Sequence, residues 1–207
     1  MIHVLVNMDD LTRIERDFGM RRDKTNLVLR AAINNTAKDV KHKMAKGAGQ
    51  RYALNTRGME PYKSITEITK ATTKTLEAFV IAKDGPQDLY EYKLNDRTYY
   101  PGSKGAPRWI KAKQMRSGSL KNLAVIQGAA GDKHKAFVVK YHSRHLAIAE
   151  RIPGTHMKGN PEKEAIRSLY ATSKPKAEEI IYDREVAVGV QDLLQRNIQI
   201  QTQRFLK

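Results

Sequence analysis

The sequence predicts an α+β fold: two N-terminal helices, a mostly antiparallel β-sheet with a long basic loop, and a long C-terminal helix. Three observations carry that prediction. Apolar residues recur at helical spacing from 24 to about 46. β-branched and aromatic residues crowd short stretches in the middle of the chain. An apolar stripe with a glutamine-rich back occupies the end. At 207 residues, the chain has room for one domain with an appendage or for two small ones. The order of elements favours one domain over 1–207, with 97–121 an extended basic loop and 173–207 a C-terminal helical segment.

Residues 2–6 read as a short strand, apolar except for His3. Asp9 or Asp10 suits the cap of a helix in which Leu11, Ile14 and Phe18 fall three to four apart, with Gly19 placed to end it. Asp23 is the next capping residue. Behind it Leu29, Ile33, Ala37, Val40 and Met44 line one face of the first long helix, with Lys38, Lys41 and Lys46 elsewhere on the wheel. Gly47-Ala48-Gly49 is expected to break this helix. Residues 76–83 read as a strand stopped by Asp84-Gly85-Pro86, and residues 89–94 as its pairing partner. Pro101-Gly102-Ser103-Lys104-Gly105-Ala106-Pro107, followed by a run of Lys and Arg, reads as an exposed loop. Residues 136–141 and 146–152 read as an antiparallel hairpin across His142-Ser143-Arg144-His145, with a turn at Pro153-Gly154. In the last segment Ser173 suits a cap and Pro175 a first turn, while Glu178 and Glu179 suit the positive end of the helix dipole. Val190, Leu194, Ile198 and Phe205 then form the apolar stripe, and Gly189 argues against an unbroken rod.

Composition narrows the function. Hydrophobic residues make up 40% of the chain and charged ones 29%, which permits a packed core. No stretch reaches the ~18 consecutive apolar residues of a membrane helix, so no membrane partner is expected. The N-terminal residues lack the basic start and small-residue cleavage site of a secretory signal. There is no cysteine, which removes disulfide frameworks, Cys-based zinc sites and thiol nucleophiles together. Of six histidines, only His142 and His145 have suggestive spacing, and residues three apart on a strand face opposite sides, so polar turn residues are the better reading. No G-x-S-x-G elbow or P-loop occurs. The acidic pairs Asp9-Asp10 and Glu178-Glu179 fall where helix N-termini favour negative charge. The reading is a protein that is not an enzyme and takes no metal or cofactor.

Charge is the strongest signal. Lys+Arg 38 against Asp+Glu 22 gives a net +16, a field that attracts nucleic acid, an anionic membrane or an acidic protein surface. Residues 101–150 carry 10 basic and 2 acidic side chains, half of the excess, and no carboxylate occurs between Arg97 and Ala130. Lys104, Arg108, Lys111, Lys113, Arg116 and Lys121 interleave there with Tyr99, Tyr100 and Trp109, a mixture that suits phosphate clamping and base stacking. The competing reading is a solvated loop anchored by its aromatics. No helix-turn-helix, RRM or KH signature accompanies it, so any DNA contact is expected to be non-specific. The terminal helices present a second surface, which either packs on its own sheet or seals a subunit interface.

The order of parts, with Arg30-Ala31-Ala32-Ile33-Asn34-Asn35-Thr36-Ala37 inside the first long helix and a basic, strand-rich middle before a terminal helix, resembles the minor tail protein Z family of long-tailed bacteriophages, also called tail completion proteins. The resemblance covers most of the chain in layout. It implies a structural virion protein, made in the host cytoplasm, that completes the head-proximal end of the tail and helps join tail to head. It further implies a homo-oligomeric ring around the DNA channel, with the tail tube or terminator and the head–tail connector as partners. That family has no catalytic residues to carry over. Lys104, Arg108, Trp109, Lys111, Lys113, Arg116 and Lys121 are then expected to face the DNA channel or an adjoining subunit and to become ordered only in the assembly. The alternative is a free, non-specific nucleic-acid-binding protein that uses the same loop, with affinity falling steeply as salt rises.

Overall fold

A computed structural model describes residues 2–5, 12, 16, 22–127 and 133–206. The described chain mixes helices with antiparallel strands and ends in a long helical segment, an α+β fold. The described chain packs as two compact units. The first comprises residues 1–49, 58–84 and 174–207, and the second residues 50–57 and 85–173.

The first unit is organised by α1 (Arg22–Arg51), whose last two residues belong to the second unit. Its length, about 45 Å at 1.5 Å per residue, follows from an apolar face that never lapses. Val28, Leu29, Ala32, Ile33, Ala37, Val40, Ala45 and Ala48 are fully buried, with Met44 nearly so. Lys38, His42, Lys43 and Lys46 stay in solvent. The expected break at Gly47-Ala48-Gly49 does not occur. A Cβ on Gly47 would stand 2.6 Å from Ile181 Cγ2, and one on Gly49 would stand 2.4 Å from the Gly58 carbonyl oxygen. These glycines permit close approach, and that packing overrides their ~1 kcal/mol helix penalty. The short helix α2 (Glu60–Lys63) leads into β2 (Thr66–Thr69) and β3 (Glu77–Ala82). With β1 (Ile2–Leu5) these form an antiparallel sheet in the order β1-β3-β2, with Ile2 opposite Val80 and Thr69 opposite Phe79. The expected helix between Asp9 and Gly19 lies outside the described residues, apart from Thr12 and Arg16, which are helical.

The C-terminal segment starts with α3 (Lys174–Ile181), passes through a wide turn at Tyr182–Val186 and a tight one at Ala187–Gly189, and resumes as α4 (Val190–Leu206). The interruption ends at Gly189, where the sequence argued against a straight rod. Leu194 and Ile198 are buried as read, but Phe205 is 41% exposed and the buried stripe also takes in Asn197, Gln201 and Thr202. Asn197 Nδ2 donates to Thr36 Oγ1 (3.1 Å) and Asp39 Oδ2 (3.0 Å), so a polar pair fixes the register of α4 on α1.

The second unit contains the remaining strands: β4 (Gln87–Asp88), β5 (Lys93–Leu94), β6 (Lys111–Lys113), β7 (Lys121–Asn122), β8 (Ala124–Gln127), β9 (Lys133–Lys135), β10 (Phe137–Lys140), β11 (Leu146–Arg151), β12 (Ile166–Ser168) and β13 (Tyr170–Ala171). The expected hairpin is present as β10–β11, with Phe137 opposite Ala149 and Lys140 opposite Leu146. Arg144 turns it with a left-handed backbone (φ 66°). β11 is central in the order β10-β11-β12 and is buried on both faces from Ala147 to Glu150, which explains its continuous run Leu146-Ala147-Ile148-Ala149.

Residues 89–94 do not pair with β3. Leu89–Glu91 form a tight turn capped by Asp88, whose carboxylate accepts from Tyr90 N at 2.8 Å, and β5 pairs with β6 instead. Tyr92, fully buried, donates its hydroxyl to the Thr172 carbonyl at 2.6 Å. Burial, with a smaller contribution from Tyr52, pushes that hydroxyl above its ordinary range. Arg97 closes the same turn. Its guanidinium donates to the carbonyls of Tyr90 (2.6 Å) and Tyr92 (3.3 Å) and stacks 4.0 Å from the Tyr90 ring centre.

Candidate functional site

The basic segment is not one loop. Residues 98–110 are irregular apart from a tight turn at Pro101–Ser103, but residues 111–113 form β6 and Lys121 opens β7, giving an antiparallel sheet in the order β5-β6-β7. Asp96, the last acid before the carboxylate-free stretch, anchors the entry. It accepts from Thr98 N and from the Tyr100 hydroxyl, each at 2.8 Å, and these bonds hold its carboxyl below the usual range. Asn95 then ties the two strands: its side-chain oxygen accepts from Lys111 N (2.6 Å), and its backbone N–H donates to the Lys111 carbonyl (3.0 Å).

Strand alternation sorts the side chains. Leu94 and Ala112 are opposite each other and buried, so they make the inner face of this small sheet. Lys93 is opposite Lys113, and Lys111 is opposite Asn122, which places Lys93, Lys111 and Lys113 together on the outer face. Lys93 and Lys111 are exposed and take part in no ion pair among the described residues. Like charges directly opposite across a ladder are destabilising, and an anion on that face removes the penalty.

The seven residues singled out in the sequence therefore do not share one face of this sheet. Lys111 lies on the outer face. Lys113 shares that face, but its ammonium donates to the carbonyls of Arg116 (2.9 Å) and Gly118 (3.0 Å) and so pins the turn after β6. Arg116 is half-buried and its backbone N–H donates to the Arg51 carbonyl at 2.9 Å. Lys121 is opposite Ala112, on the other face of the ladder, though its side chain reaches solvent. Lys104 and Arg108 are exposed in the irregular stretch, where Gly102 (φ 63°) and Gly105 (φ 76°) turn the backbone. Trp109 is half-buried and takes the Lys135 ammonium 5.5 Å from its ring centre. The sequence reading missed Lys93, because it followed the acid-free run and Lys93 precedes it. Its place on the outer face follows from the pairing with Lys113, since Tyr92 and Leu94 on either side of it are buried.

The remaining polar clusters fit structural roles. His145 Nε2 lies 3.3 Å from Asp88 Oδ2 and its ring stacks on Tyr141, while the Tyr141 hydroxyl meets Ser168 Oγ at 2.6 Å. Among the described residues no three His, Asp or Glu side chains converge in a way that could hold a metal ion. Glu150, fully buried on β11, receives the Arg167 Nε–H at 2.6 Å from directly across the β11–β12 ladder. In the first unit, an open depression beside α1 is lined by Lys38, Asp39, Lys41, His42, Lys63 and Ile68 and gathers no nucleophile–base pair. Among the described residues no helix is long and apolar enough to cross a membrane. No family model, curated protein or solved structure matches this chain.

Proposed function

We propose that this chain is a structural virion protein of a tailed bacteriophage, of the tail-completion kind, acting at the head-proximal end of the tail. In this reading copies of the chain form a ring around the DNA channel and meet the tail tube or terminator on one side and the head–tail connector on the other. The supporting observation is the outer face of the β5-β6-β7 sheet, where Lys93 and Lys111 are exposed and take part in no ion pair among the described residues. A ring repeats one heterologous interface by rotation, and each added copy brings +16 of charge. Such a ring repels itself unless a polyanion occupies its centre, which a packaged genome supplies. The same lysines also support a second reading, a free protein that binds nucleic acid without sequence preference.

Deleting the reading frame from the phage genome separates the two. The tail-completion reading expects lysates with DNA-filled heads and unattached tails, and joining restored when the chain is supplied in trans. Normal yields of joined, infectious particles without the chain would overturn it.

A further inference from the structure

Glu178 is a fully buried carboxyl in α3, and it touches its surroundings through one hydroxyl. Its Oε2 lies 2.5 Å from Thr66 Oγ1 of β2. Its Oε1 has no hydrogen-bond partner among the described residues. Thr66 Oγ1 is also 3.2 Å from the Tyr62 carbonyl, so one hydroxyl hydrogen stands between two acceptors. An ionised Glu178 leaves that arrangement a donor short and strands half of a charged group in the core. A protonated Glu178 completes it, since the acid donates to Thr66, Thr66 donates to the Tyr62 carbonyl, and each hydrogen is used once.

The other elements around Glu178 offer one opposing charge. Lys41 of α1 lies near enough to favour the carboxylate, but its ammonium donates to the Thr66 carbonyl. From α2 the titratable neighbour is buried Tyr62, and from β3 the buried residues are Ala78 and Val80. On α3 itself Lys174 pairs with Asp84 at 2.8 Å and Lys176 with Glu179 at 3.0 Å.

We propose that Glu178 docks as a neutral carboxylic acid and makes the seating of α3 in the first unit a pH-dependent latch, firm in acid and looser as the solution turns alkaline. Burial pushes the carboxyl up from its ordinary 4.5 to about 7, against the weaker opposing pulls of the Thr66 hydroxyl and the Lys41 charge. The folded state therefore binds more protons than the unfolded chain between those values. The stabilisation is complete below the unfolded value and is lost as pH rises through the folded one. The loss corresponds to a fall on the order of 10²-fold in the folding constant.

Chemical denaturation of the full chain at pH 5 and pH 8.5 tests this, with Glu178→Gln as the comparison because the amide keeps the shape and cannot ionise. The wild type is expected to lose folding constant on the order of 10²-fold relative to any change in the variant. Equal pH dependence in the two proteins would overturn the proposal. A second measurement holds even if the variant does not fold. In the wild type with ¹³C-labelled glutamate, one buried side-chain carboxyl is expected to titrate near neutrality, and titration of every glutamate in the ordinary carboxylate range would equally overturn it.

Discussion

Gly49→Ala lowers the stability of the first unit by about 2–3 kcal/mol, although it replaces a helix-interior glycine with the best helix former. On propensity alone the change gains about 1 kcal/mol. The added methyl, however, would lie 2.4 Å from the Gly58 carbonyl oxygen, 2.7 Å from its carbon and 3.1 Å from Met59 Cα, all backbone atoms. No rotamer relieves that clash, so α1, with its fully buried Ala45 and Ala48, or the chain at 58–59 must shift. Gly189→Ala is the control. A Cβ there meets nothing within 4 Å, and the substitution is expected to be neutral or to stabilise by about 0.5 kcal/mol through the unfolded chain. Denaturant unfolding of the two variants checks the opposite signs; a stabilised Gly49→Ala would mean that α1 does not approach residues 58–59 as described.

Where the outer face serves as the proposed DNA contact, Lys93→Glu combined with Lys111→Glu is expected to reduce binding of duplex DNA at low salt on the order of 10²-fold and to lower the slope of log affinity against log salt by about 2. Both side chains are exposed on the outer face of the β5-β6-β7 sheet, and neither takes part in an ion pair among the described residues. Stability is expected to hold or rise, because Lys93→Glu sets a carboxylate opposite Lys113 in place of a second ammonium. A loss of affinity without a loss of stability therefore separates a binding role from a folding one. Lys113→Gln gives the converse: its ammonium holds the carbonyls of Arg116 and Gly118, so its removal loosens that turn. Fluorescence anisotropy at several salt concentrations reads the effect, and affinity unchanged by the double charge reversal would exclude this face as the DNA contact.

Local signals were enough for some of these elements. The 3.6-residue repeat of Leu29, Ile33, Ala37, Val40 and Met44 marks α1, and the short apolar runs on either side of the polar His142-Ser143-Arg144-His145 mark the β10–β11 hairpin. What escaped the sequence depends on partners far along the chain. Gly47 and Gly49 look like helix breakers until Ile181 and Gly58 are placed against them. β5 and β7 are two residues long and β6 three, too short for any period to show, and their pairing sorts the lysines by face. Glu178 has the sequence position of a residue complementing a helix dipole, yet Thr66, 112 positions away, makes it a buried acid. Of the candidate site, the concentration of charge was legible. Its division between binding and structural lysines was not, because the Lys113 ammonium is committed to the Arg116 and Gly118 carbonyls of a turn that only the folded chain creates.

In the proposed role this chain works by contact, as one of several copies that present lysines to DNA at the end of a phage tail. Imaging intact particles at the head–tail junction tests that role most directly. The expected result is a ring of copies at the head-proximal end of the tail, with Lys93 and Lys111 turned toward the channel. Particles that lack the chain, or a ring whose β5-β6-β7 face points into bulk solvent, would contradict it.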